Sequence, residues 1–154
     1  MPKLTLKKIT KINLMSILQL DVNPEQKSLV ASNAVSIAQA HFNKDAWFRA
    51  IYVDNKPIGF VMISDTLLKS NSNPNHRPSY YLWRFMIDAK YQGKGYGKEA
   101  MKLIINHVKS RPKAKEFLLS HSKSDGNAGE FYKKCGFEYT GKKFGDELLM
   151  SIKF

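Results

Sequence analysis

The chain has 154 residues and a mass of 17.6 kDa, with 43% apolar and 12% aromatic residues, which fits one packed domain over 1–154 and excludes a disordered chain. A single cysteine excludes a disulfide framework and a multi-cysteine metal site, no apolar run approaches the ~20 residues that span a bilayer, and the opening MPKLTLKKIT lacks an apolar signal region, so no membrane partner and a cytoplasmic setting are expected. Twenty-five Lys and Arg against 13 Asp and Glu give a net charge of +12, which favours anionic partners such as nucleic acid or a phosphorylated cofactor. The lysines are spread along the chain, as they are on an ordinary solvated surface.

Residues 4–9 alternate apolar and polar side chains and predict a first strand. Residues 12–20 and 32–41 predict helices; in the second, Val35, Ile37, Ala38 and Ala40 fall near one face and Ser32 or Asn33 supplies a cap. Residues 47–53 and 58–64, rich in aromatic and β-branched types, flank the turn Asp54-Asn55-Lys56-Pro57 as a hairpin. Residues 69–79 form a polar loop or a lid. Residues 80–87 predict a long strand interrupted by Arg84, then Gln92-Gly93-Lys94-Gly95-Tyr96-Gly97 opens a helix that runs to about Ser110. In that helix Tyr96, Ala100, Leu103, Ile104 and Val108 make the packed stripe, and Pro112 marks its end. A strand at 116–120, a helix at 127–135 stopped by Gly136, and strands at 137–142 and 147–152 complete an α/β domain with a mixed sheet.

The stretch that carries chemistry is a strand, a glycine turn and a helix. Glycines at 93, 95 and 97 permit a tight turn and leave N–H groups uncovered, and the helix after them adds its positive end, a geometry that binds phosphate oxygens. The dinucleotide fingerprint G-x-G-x-x-G does not fit, because Lys98 and Glu99 follow Gly97; the G-x-x-x-x-G-K-[ST] pattern fails on spacing and on Glu99. A glycine-rich turn with no ligand is the bland alternative.

Gln92-x-x-Gly95-x-Gly97 after an apolar strand resembles the pyrophosphate loop of the GNAT superfamily of N-acetyltransferases. Asn127, Ala128 and Phe131-Tyr132-Lys133-Lys134-Cys135-Gly136-Phe137 resemble a second segment of that family, with the alanine displaced by two positions. The element order also agrees, so the resemblance covers nearly the whole chain. Within the superfamily, the stretches 51–52, 58–62 and 82–88, with the QGKGYGKEAM loop, are most similar to bacterial polyamine (spermine/spermidine) acetyltransferases; Trp83 stands where some of these carry an acidic residue.

The resemblance implies a GNAT-like sheet of about seven strands with flanking helices, acetyl-CoA as donor, no metal, and direct attack by a primary amine in a ternary complex. It implies that a splayed fourth strand, around Phe85, Met86 and Ile87, pairs with the pantetheine arm and supplies a main-chain donor to the thioester oxygen. Gln92, Gly93, Lys94, Gly95, Tyr96, Gly97 and Lys98 would face the phosphates, with Lys134 near them and Asn127 on the CoA arm; for Asn127 a plain helix cap is the competing reading. Tyr132 is the candidate general acid, because a phenol with a pKa of about 10 can protonate a departing thiolate while staying neutral. The base is open among Asp88, His121, Glu147, His76 and a water relay held by Tyr80 and Tyr81. His41, His76, His107 and His121 have no metal-ligand spacing, and Cys135 reads as buried filler. Trp47, Trp83, Tyr80 and Tyr81 could line an amine pocket.

The expected acceptors rank from a small polyamine through aminoglycoside-like amines to protein amines. A tri- or tetracation would need Asp21, Glu25, Asp88, Asp146 or Glu147 to gather locally. The competing class is a non-catalytic basic module that binds CoA or nucleic acid, separated from the enzyme by steep salt dependence; nucleic acid ranks below a small amine. A catalytically dead structural domain ranks lower still, because the glycine loop, Asn127 and Tyr132 are all present. A homodimer is an expectation by analogy with relatives.

Overall fold

The computed structural model describes residues 2–69, 75 and 77–154. Strand β1 (Leu4–Lys7) is followed by helices α1 (Leu14–Leu18) and α2 (Asn33–His41) and strands β2 (Ala46–Val53), β3 (Lys56–Asp65) and β4 (Tyr80–Ile87). Helix α3 (Tyr96–Lys109), strand β5 (Glu116–His121), helix α4 (Gly126–Lys134) and strands β6 (Glu138–Phe144) and β7 (Glu147–Lys153) complete the chain. The strands form one seven-stranded sheet in the order β1-β2-β3-β4-β5-β7-β6. Every pairing is antiparallel except β4 with β5. This is the mixed α/β architecture and the element order expected from the sequence.

Each face of the sheet carries its own core. Helix α3 packs over Ile51, Ile58, Val61, Leu82, Phe117, Leu119 and Met150, burying Ala100, Met101, Ile104 and Val108. The α1–α2 side covers Ala50, Tyr52, Phe60, Met62 and Met86, with Ile17 inserted from α1. Alternation along β2, with Ile51 and Val53 on one face and Ala50 and Tyr52 on the other, is the period-two signature of a strand buried on both faces. Each fully buried Ile or Phe contributes about 1.5–3 kcal/mol.

In β4 that alternation changes parity. Met62 pairs with Arg84 and Ile63 with Leu82, so Trp83 is left without a partner in a β-bulge. Before the bulge the even residues Tyr80 and Leu82 face the α3 side; after it the odd residues Phe85 and Ile87 do. Beyond the bulge Gly59 lets β3 and β4 close up, because a Cβ there would overlap the Met86 carbonyl oxygen.

Several boundaries depart from expectation for identifiable reasons. β1 stops at Lys7 and α1 spans only Leu14–Leu18, because Asn13 is used in the intervening turn: its Oδ1 accepts from Thr10 N at 2.8 Å and its Nδ2 donates to Lys8 O at 3.1 Å. In α2 the apolar stripe does not define the inner face. Asn33 and Ser36 are buried and Val35 is exposed, while Ile37 and Ala40 pack at the flank. The two polar residues are satisfied there, Asn33 Nδ2 by Ile17 O at 2.9 Å and Ser36 Oγ by Ser32 O at 3.1 Å. Ser32 is the cap, accepting from Val35 N at 3.2 Å. In α3 Met101 joins the buried stripe and Leu103 is only half-buried. Most of the expected 69–79 loop or lid, including His76, lies outside the described residues.

Candidate active site

β4 and β5 share a single paired position, Tyr81 with Leu118. Past it the two parallel strands separate, and among the described residues no strand pairs with the edge of β4 from Trp83 to Ile87 on that side. Two connected hollows occupy the gap. A groove of about 460 Å³ runs from Phe85, Met86 and Ile87 past the glycine turn to Asn127, Phe131 and Lys134. A wider cavity of about 1000 Å³ lies against Tyr81, Trp83 and Arg84 of β4, Ser120 of β5 and Glu147 of β7. Leu29, Val30, Phe85, Asp125, Ala128 and Tyr132 line both and mark the junction.

The groove is built from backbone. Gly93 and Gly95 sit at φ +76° and +84°, where a side chain is strained, and a Cβ on either would meet no protein atom. The first bond of α3 runs from Glu99 N to Gly95 O at 3.2 Å, so the N–H groups of Tyr96, Gly97 and Lys98 have no intrahelical acceptor. Open space, exposed donors and a helix N-terminus together suit an anionic ligand such as a pyrophosphate. Gly97 packs close to the Phe131 ring, at 3.3 Å from its would-be Cβ, and so joins α3 to α4.

Of the residues expected to hold the donor, Phe85, Met86, Ile87, Gln92, Gly93, Gly95, Gly97, Lys98, Asn127, Tyr132 and Lys134 line the groove. Lys94 and Tyr96 do not: Lys94 Nζ lies over the Tyr91 ring at 5.7 Å, and Tyr96 packs against the core. The Gln92 amide turns inward, donating to Ile87 O at 2.8 Å and to Gln26 Oε1 at 3.0 Å. Asn127 is not the cap of α4; Asp125 is, accepting from Ala128 N at 3.2 Å, which leaves Asn127 exposed on the groove.

Tyr132 stands at the junction with its ring edge-on to Phe131 and Phe137. Burial pushes its phenol well above the ordinary value, and the negative charge of Asp125 adds to the shift. Cys135, half-buried nearby, has its thiol pushed up by burial against the opposing charge of Lys98, so it stays protonated as a packing residue.

The candidate bases separate by partner. Asp88 is consumed by its turn, accepting from Asp21 N at 2.8 Å and Lys90 N at 3.1 Å. Tyr80 is buried and donates to Pro112 O at 2.7 Å. His121 lines the cavity with both nitrogens engaged: Nδ1 donates to Ser122 O at 2.8 Å, and Nε2 lies 2.9 Å from the Tyr139 hydroxyl, from which it accepts in the neutral ring. Tyr81 is bonded to Ser120, whose Oγ donates to Glu147 Oε1 at 2.7 Å. The carboxylates facing the cavity are Asp45, Asp125 and Glu147, so of the acids expected to gather only Glu147 does. Trp83 and Tyr81 line it; Trp47 does not, and stacks instead on His107 at 3.9 Å.

Val22, Gln26, Leu29 and Val30, from the segment before α2, also wall the groove, and nothing in their local sequence marks them. Asp45 reaches the cavity from the start of the β2 hairpin, where Ser64 Oγ donates to its Oδ2 at 2.6 Å. Among the described residues no group of three or more His, Cys, Asp or Glu could hold a metal ion, and no helix is long and apolar enough to cross a membrane.

Residues 14–137 match the model of the acetyltransferase (GNAT) family. The chain is similar to a spermine/spermidine N(1)-acetyltransferase of Bacillus subtilis, with 31% identity over 151 residues that cover 96% of each chain. Its fold is similar to that of an aminoglycoside acetyltransferase in complex with coenzyme A, with a TM-score of 0.76 and 16% identity over 98% of this chain and 95% of that one. A spermidine N-acetyltransferase chimera from Vibrio cholerae and hSSAT superposes with a TM-score of 0.70 and 19% identity over 97% and 94% of the two chains.

Proposed function

The chain belongs to the GNAT acetyltransferase family, and on that premise we propose that it transfers the acetyl group of acetyl-CoA directly to a primary amine, with a small polyamine as the preferred acceptor. The observation that carries the reading is the shared wall. A backbone-lined groove suited to pyrophosphate and a wider cavity with three carboxylates meet at Phe85 and Tyr132, so a donor in one and an amine in the other come together at that point.

Acetyl-CoA supplies an activated acyl group as a thioester; the chain supplies position and polarity. The N–H groups at the start of α3 receive the phosphates, with Lys98 and Lys134 beside them. The free edge of β4 at Phe85, Met86 and Ile87 pairs with an extended amide arm and offers a main-chain donor to the carbonyl oxygen as charge builds on it. Asn127 contacts the same arm. Tyr132, kept protonated by burial, donates its proton to the departing sulfur, and the proton that the acylated nitrogen sheds restores the phenol. Cys135, held as a thiol, takes no acyl group, which favours direct attack in a ternary complex.

The polyamine preference is supported by the curated relative at 31% identity and by Asp45, Asp125 and Glu147, spaced along one cavity with the rings of Tyr81, Trp83 and Phe144 among them. The size of the cavity, and the fold similarity to an aminoglycoside enzyme, keep a bulkier polycation as the second reading. Thiol release from acetyl-CoA, measured with spermine, spermidine, diamines, kanamycin and lysine peptides, separates them. Release with spermidine and not kanamycin supports the first; the reverse supports the second. Absence of release with every amine overturns transfer to amines of these classes.

A further inference from the structure

Tyr81, Ser120 and Glu147 lie on β4, β5 and β7, and their hydrogen bonds run across the sheet in one direction. A carboxylate only accepts, so Ser120 directs its single O–H to Glu147 Oε1, at 2.7 Å. The bond between Tyr81 and Ser120 then has one possible sense: the phenol donates and the Ser120 oxygen accepts. With its proton turned away, the Tyr81 oxygen keeps its lone pairs for an occupant of the acceptor cavity, which Tyr81 lines near Tyr132 and the Phe144 ring. Glu147, at the other end, is exposed.

On the transfer reading above, we propose that this row is the path by which the incoming ammonium loses its proton. One proton passes from the acceptor nitrogen to the Tyr81 oxygen. The Tyr81 hydroxyl proton passes to Ser120 Oγ, and that of Ser120 passes to Glu147 Oε1. Tyr81 and Ser120 end as neutral hydroxyls with their O–H bonds reversed, which turn back before the next cycle, the ammonium becomes a neutral amine with a lone pair for attack, and the Glu147 carboxylate becomes a carboxylic acid. Glu147 returns the proton to solvent, so the net cost of the step is set by the amine's own pKa against the ambient pH. Tyr81 is the catalytic contact; Ser120 and Glu147 are positioning residues that act through it.

The electrostatic surroundings agree. Burial raises the Tyr81 phenol above its ordinary value and the Glu147 charge adds to the shift, while the Ser120 bond and the Arg84 charge oppose it. The phenol is therefore a neutral relay rather than a phenolate. Arg84 on β4, Glu147 on β7 and Tyr132 on α4 are the titratable groups interacting with it, with His121 of β5 and the carboxylates of Asp45 and Asp125 elsewhere on the cavity wall. Asp88 and His121, the other candidate bases among the described residues, have their accepting atoms engaged.

The test is the pH dependence of thiol release by wild type, Glu147→Gln, Ser120→Ala and Tyr81→Phe, with spermidine, or with kanamycin if that is the class that turns over. Near pH 7 the amine is protonated and each variant should lose about 100-fold in kcat. Near pH 10 about a third of an alkylamine with a pKa of about 10.4 is already neutral, several hundred-fold more than at pH 7, and most of the loss should vanish. The acetyl-CoA-induced rise in melting temperature should stay at the wild-type value throughout, which also reports folding; Glu147→Gln, at an exposed site, guards against loss of fold in the other two. A deficit that is the same at every pH, or no deficit at all, overturns the relay and leaves acetyl transfer standing. Wild type that binds acetyl-CoA and releases no thiol overturns transfer itself, and the relay with it.

Discussion

The side-chain amide of Gln92 donates to the carbonyl of Ile87 at 2.8 Å, tying the glycine turn to the end of β4. The same nitrogen reaches Gln26 Oε1, and Gln92 Oε1 accepts from Asn23 Nδ2 at 3.1 Å, so one side chain also ties the turn to the stretch 23–26, which is remote in sequence. The residue that opens the phosphate-loop motif therefore works as a brace for the loop rather than as a direct ligand through its side chain.

Replacing it should loosen the loop without unfolding the protein. Gln92→Ala removes bonds each worth about 0.5–1.5 kcal/mol, and the expected result is a rise in the acetyl-CoA Kd of about 10-fold with a small drop in melting temperature. Calorimetric titration checks this. An unchanged Kd would mean that the loop holds its shape without the brace.

Gly95 poses a different problem for a side chain. At φ +84° any β-branched residue is strained by about 1–2 kcal/mol, yet its Cβ meets no protein atom and projects into open space beside the groove. Gly95→Val should therefore lose acetyl-CoA affinity by far more than it loses stability. The comparison of Kd with melting temperature decides it; equal and modest losses in both would place the phosphates elsewhere.

For Tyr132→Phe the prediction concerns kcat. Burial keeps the phenol protonated to values above its ordinary pKa of 10.0, so this group gives no falling limb in the rate across neutral pH. Removing the hydroxyl should lower kcat by about 100-fold and leave the KM for acetyl-CoA within a few-fold, at every pH tested. An unaltered kcat would assign the acid to another group.

His107 supplies a prediction about stability. It stacks on Trp47 at 3.9 Å, and its pKa is lowered from 6.5, first by burial and then by Arg111 and Arg49, with Asp65 opposing. Asp65, which is buried, bonds Arg111 Nε at 2.7 Å, so its charge is largely committed. A lowered folded pKa means that the unfolded chain binds the proton more readily. Stability from this group is present above about pH 6.5 and lost as pH falls through the lower folded value. His107→Phe keeps a ring against Trp47 and should flatten the fall in melting temperature between about pH 7 and pH 5. Identical slopes in wild type and variant would show that other groups set the acid limb.

The sequence by itself determined the elements whose cause is local. The glycine turn, the α3 stripe, the β2–β3 hairpin and the Gly136 stop are written in residue types at fixed spacing, because backbone sterics and hydrophobic period act over a few residues. Gly95 and Tyr132, singled out by the motif, both line one groove. Only the tertiary structure decided the rest. The bulge at Trp83 reverses which β4 side chains face the groove, and a shift of one residue in register leaves no mark in composition. Asn33 and Ser36 turn inward because Ile17 O and Ser32 O happen to accept from them, overriding the apolar stripe of α2. Asp88, His121 and Glu147 look alike as candidate bases on paper. What separates them is the set of partners around each, brought from strands distant in sequence, and proton transfer depends on those partners rather than on the residue alone.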